Sequence, residues 1–190
     1  MQSATPRHRL TVTQFFAGMA AVALAYVLFF KLNEWLFSMA KVSDHISWVF
    51  LPAAIRMLAV LLLGWAGVAG LYLGSLSMLG ASFSVDPLAA LVIAGISSVP
   101  CLLAARIVQR LLGVSSDLAG MTGRQLLIFG VAGGLASSGA HTLYFAAVAR
   151  STEPLAGFMP MFVGDTVGTF LMLYLGALAL NRLFPARQES

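Results

Sequence analysis

The sequence predicts an all-α, polytopic membrane protein of about six transmembrane helices, with both chain ends on the cytoplasmic side (N-in/C-in). Three observations predict it. Hydrophobic residues make up 59% of the 190 residues and charged residues only 9%, with mean hydropathy +0.91, more apolar surface than a soluble core of this size hides. The apolar residues fall into six runs separated by short polar breaks. Lysine and arginine gather on one side of those runs, as the positive-inside rule requires.

The spans are placed at about 12–37, 46–64, 65–83, 87–106, 125–148 and 155–183, and together they make one integral membrane domain over 1–190. The longest break, "VQRLLGVSSDLAGMTGRQ" from Val108 to Gln125, reads as a loop with an interfacial turn. No soluble domain is expected, so an enzyme module controlled by this unit would be on another chain. With N-in, Arg7, Arg9, Arg106, Arg110, Arg124, Arg182 and Arg187 lie inside, against Lys31, Lys41 and Arg150 outside. Trp35 and Trp48 then mark the outer interface and Trp65 the inner one. Small residues Ser38 and Ala40 after an apolar run also fit a cleaved signal peptide, but that run is longer than the usual apolar signal core.

Composition narrows the chemistry. One cysteine, Cys101, excludes an intrachain disulfide, and His8, His45 and His141 are too scattered for a metal site. A net charge of +4 is explained by topology, and no nucleic-acid partner is expected.

Against this background "WVFLPAAIRMLAVLLLG" (Trp48 to Gly64) is anomalous, because it places Arg56 in a run that otherwise suits lipid. Counting helical rise from Ile46 puts Arg56 about 15 Å deep; Ser97, His141 and Asp165 come out at similar depths on the fourth, fifth and sixth spans. Intramembrane ionisable groups cost about 2.5–3.5 kcal/mol each on insertion scales, so they face the bundle interior and pair. The expectation is an Arg56/Asp165 pair within a polar cavity in the outer half of the bilayer, lined also by Ser97, Ser98 and His141. A purely structural ion pair is the alternative. Ser137, Ser138, Gly134 and Gly130 share the face of His141, and Gly168 and Thr169 that of Asp165.

Small residues spaced by four predict close packing: Ala17, Ala21 and Ala25 in the first span, Ala66, Gly70 and Gly74 in the third, Gly130 and Gly134 in the fifth, Gly164 and Gly168 in the sixth. The first of these ladders also suits docking of a partner helix. Pro52, Pro100 and Pro160 fall within spans and predict kinks beside a cavity, most clearly in "GISSVPC" (Gly95 to Cys101).

Two stretches carry a family resemblance. "WVFLPAAIRMLAVLLLGWAGVAGLYLGSLSM" (Trp48 to Met78) and "MFVGDTVGTFLMLYLGALAL" (Met161 to Leu180) resemble bacterial membrane-associated sensor domains of the MASE class, through Trp48, Pro52, Gly70, Gly74, Gly164, Asp165 and Gly168. The resemblance covers about the last three quarters of the chain. It implies a non-enzymatic sensor in the bacterial inner membrane. Members usually join a kinase or a cyclic-dinucleotide enzyme; here Arg56 departs from the pattern and no output domain follows Leu183, so signalling would pass through a partner membrane or signalling protein. Six spans, the alanine ladder and an outer polar cavity are also similar to the substrate-binding subunits of energy-coupling-factor vitamin transporters, which implies a small-molecule ligand and a coupling subunit. "ASSGAH" (Ala136 to His141) is similar to intramembrane serine protease motifs only superficially, since Ala136 stands where glycine is wanted and no oxyanion donors are evident.

Overall fold

The computed structural model describes residues 10–43, 46–115, 118, 120–148 and 154–183. Arg7, His8, Arg9, His45, Arg150 and Arg187, which entered the charge and histidine arguments above, lie outside the described residues.

Among the described residues, six helices of twelve residues or more form the body: α1 (Val12–Phe37), α2 (Pro52–Leu63), α3 (Trp65–Met78), α5 (Pro87–Leu112), α6 (Gly123–Ala147) and α7 (Pro154–Leu183). A six-residue helix, α4 (Gly80–Val85), and a small antiparallel ribbon of β1 (Lys41–Ser43) and β2 (Ile46–Ser47) complete it. Local chemistry sets the boundaries. Thr11 with Gln14, and Thr122 with Gln125, form reciprocal capping boxes that start α1 and α6. Asp86 caps α5, Pro87 opens it, and Gly113 in the left-handed conformation closes it.

Four helices, around α1, α5, α6 and α7, are long and apolar enough to cross a membrane. Their outward surface is apolar, with Phe16, Leu24, Leu28, Leu103, Ile107 and Leu143 all more than half exposed. The interior holds serines, threonines, an arginine, a histidine and an aspartate. An apolar outer surface around a core that also holds these polar groups fits a polytopic membrane protein, where lipid is the outer solvent.

The second and third spans differ from expectation. Residues 46–50 are ribbon and irregular chain rather than helix, and Leu51 is the cap of α2, so α2 is about 18 Å long and α3 about 21 Å, against a hydrocarbon thickness of about 30 Å. They form a hairpin at Gly64, whose backbone (φ +54°, ψ −118°) is open only to glycine. Gly67 lets the return helix close against the Ala59 carbonyl.

Helix α2 is the centre of the bundle, in contact with α1, α3, α5, α6 and α7. Eight of its twelve residues are buried. Its apolar sequence therefore faces protein rather than lipid. Pro52, expected as a mid-span kink, is instead the first residue of α2; Pro100 and Pro160 do lie inside helices.

The small-residue ladders divide. Gly70 and Gly74 receive α1, at the Met19 and Ala23 carbonyls and the side chains of Val22 and Tyr26. Gly130 and Gly134 receive α7. The alanine ladder does not pack: Ala17 and Ala21 are exposed and Ala25 half-buried. The packed face of α1 is Gly18, Val22 and Tyr26, one position further along, because the glycines of α3 admit those larger side chains.

Candidate functional site

Gly164 and Gly168 are not contacts between two helices. The segment Ser47–Leu51 lies along α7, with a hydrogen bond from the Phe50 N–H to the Gly164 carbonyl at 3.0 Å. A methyl on Gly164 would collide with the Ser47 carbonyl, and one on Gly168 with that of Phe50. At its other side this segment is held to α1, where the buried Asn33 side chain accepts from the Leu51 N–H at 2.8 Å. Helix α2 thus begins below the end of the bundle, and Arg56 follows one turn later. The depth counted from Ile46 is wrong in detail, since residues 46–50 do not rise as a helix. Its consequence survives because α7 presents Asp165 beside the same segment.

Arg56 Nη2 donates to Asp165 Oδ1 at 2.5 Å, and the two side chains are 4% and 8% exposed. Arg56 Nη1 donates to Ser137 Oγ on α6 at 2.6 Å. The guanidinium lies 5.0 Å from the centre of the Phe50 ring, a favourable contact for a desolvated cation. A second strand of the network begins at His141, whose Nδ1 is 2.9 Å from the Ser137 carbonyl. A carbonyl only accepts, so Nδ1 carries the proton and, in the neutral ring, Nε2 accepts. Ser97 Oγ on α5 is 3.4 Å from that Nε2. Asp165, Arg56, Ser137, His141 and Ser97 are therefore one connected polar chain across α7, α2, α6 and α5.

Above it is a cavity of about 360 Å³, at the low end of the range for small-molecule sites. Arg56, Ser97, Ser137, His141 and Asp165 line its floor, Tyr26, Phe30, Phe50 and Phe145 its walls, and Lys31, Glu34 and Lys41 its charged rim. Glu34 joins both lysines, at 3.3 Å to Lys31 and 3.0 Å to Lys41.

Four of the five residues expected to line a cavity do so. Ser98 does not: it is fully buried and its hydroxyl donates to the Ala94 and Gly95 carbonyls of its own helix. Ser138 is spent in the same way on Gly134. Within "ASSGAH", His141 meets the Ser137 carbonyl, and the Ser137 hydroxyl accepts from Arg56. Sequence reading passed over Asn33 and the rim residues Lys31, Glu34 and Lys41 as site residues. The spacing of Lys31, Asn33 and Glu34 at the end of an apolar helix was the available signal, read there only as topology. Among the described residues, no three metal-ligating side chains converge.

Compared with known proteins, the chain matches no family model, no curated protein and no solved structure. The resemblances to sensor domains and to transporter subunits thus rest on the quoted residues alone.

Proposed function

We propose that this protein crosses the bacterial inner membrane with its four long helices, N-in/C-in, and binds a small polar ligand in the cavity that opens at the outer end of the bundle, passing the bound state to a partner protein. The observation that carries the reading is the combination of a 360 Å³ cavity with a buried, charged floor. A charge pair kept only for register is best sealed by packing, whereas this one lines open space beside a histidine. Binding rather than catalysis is favoured because Ser137 is committed to Arg56, and Ser98 and Ser138 to their own helices. The exposed alanines of α1 and the sensor-like segments of α2, α3 and α7 support a partner-dependent role. A transporter subunit would use the same cavity and differ in its partner, a coupling subunit instead of a signalling enzyme.

The test is thermal unfolding of the purified protein in mild detergent against carboxylates, amines, sugars and vitamins. A ligand at 100 times its Kd stabilises by about 2.7 kcal/mol when it binds only the native state. The reading expects a stabilising ligand whose effect is lost in Ser97→Ala and in His141→Phe variants that remain folded. Stabilisation unchanged by both variants would place binding elsewhere and refute it.

A further inference from the structure

The charges facing the cavity do not cancel. Lys31, Lys41 and Arg56 bring three positive charges, and Glu34 and Asp165 two negative ones, leaving an excess of one positive charge with His141 neutral. The excess sits at the rim, where two ammonium groups share the single Glu34 carboxylate. The floor sets the Arg56 guanidinium and the Ser97 hydroxyl beside the Asp165 carboxylate and the accepting Nε2 of His141. Arg56 is 4% exposed, yet its Nε–H has no partner among the described residues. Among the described residues the Ser97 hydroxyl makes one contact, at 3.4 Å to His141 Nε2.

From the two layers together we infer that the ligand is a small organic oxyanion, a carboxylate or phosphate ester of metabolite size. The rim lysines draw it in, and the floor donors take its acceptor oxygens. The inference rests on the cavity being a binding site, as proposed above. Glu34, paired with both lysines, sets how much positive potential the entrance shows. Low-dielectric walls around such an entrance focus its field on the approaching solute.

The rim residues are partly exposed, at 64% for Lys31, 36% for Lys41 and 34% for Glu34, so they can be changed without disturbing the core. Binding of succinate, glycerol 3-phosphate, putrescine and glucose is measured by equilibrium dialysis on the purified full chain. One of the two anions is expected to bind. Two unit charges at roughly 8 Å in water-like screening are worth about a fivefold change, so the Lys31→Gln/Lys41→Gln double variant should bind it about fivefold more weakly. Glu34→Gln should bind it about twofold more tightly, a gain that mere structural damage would not give. Both effects should shrink in 0.5 M salt. Binding of putrescine or glucose without either anion would overturn the charge inference and leave the cavity reading standing. Anion binding indifferent to all three rim residues would overturn it too. Failure of all four probes at millimolar concentration would count against both.

Discussion

Arg56 and Asp165 should be energetically inseparable. Each is almost wholly removed from solvent, and the guanidinium satisfies the carboxylate directly. Truncating one partner of such a pair costs about 3–5 kcal/mol, because the other charge is left buried and unpaired. Arg56→Met and Asp165→Asn should each lose this amount. If the losses were independent the double variant would lose about 6–10 kcal/mol, enough to unfold most proteins. It should instead lose no more than either single variant, a coupling of roughly 3 kcal/mol or more. The assay is reversible unfolding in mixed micelles, followed by the fluorescence of Trp35, Trp48 and Trp65. Additive losses, or single variants within about 0.5 kcal/mol of the parent, would refute the pairing and with it the reason given for an arginine in this segment.

Other consequences can be checked with the same preparation. Gly168→Ala should destabilise by at least about 1–3 kcal/mol, since the added methyl meets the Phe50 carbonyl, whereas Gly139→Ala, on an open face of α6, should be neutral or slightly stabilising. Asn33→Ala should cost about 1–3 kcal/mol through the orphaned Leu51 N–H, and Asn33→Asp, which keeps an acceptor, should recover part of the loss. Cys101 is 5% exposed in the core beside Gly133 and should resist maleimide in the folded protein, reacting fully only after denaturation.

How much of this was legible in the sequence varies by element. The four long helices were, because length, hydropathy and caps such as Thr11 and Asp86 act locally; α1 and α7 fall within a residue of the expected limits, but α5 runs six residues past its expected end, to Leu112, through the start of the expected loop, and stops at Gly113. The chain of Arg56, Asp165, His141 and Ser97 was also legible, since ionisable groups in apolar runs have few places to go but towards one another. The short α2/α3 hairpin was not. An apolar helix packed on every side by protein has the same composition as one packed by lipid, and only the environment of α2 tells them apart. Nor could spacing show that Gly164 and Gly168 accommodate an irregular backbone segment, or that α1 presents Gly18, Val22 and Tyr26 instead of its alanines. Those outcomes depend on the partner surface. Ser98 was misread because a serine one turn from a carbonyl can turn its hydroxyl to its own helix.

The central claim is that water reaches a polar floor deep in an apolar bundle from one side only. Ser97→Cys and, as a control, Ser98→Cys are placed in a Cys101→Ala background, and a membrane-impermeant methanethiosulfonate is applied to oriented vesicles from either side. The account predicts that Cys at position 97 is labelled from the outer side and not the inner, while Cys at position 98 stays unlabelled. No labelling at 97 from either side, with the variant folded, would mean that the buried ion pair lies in a closed core and that no solute reaches it.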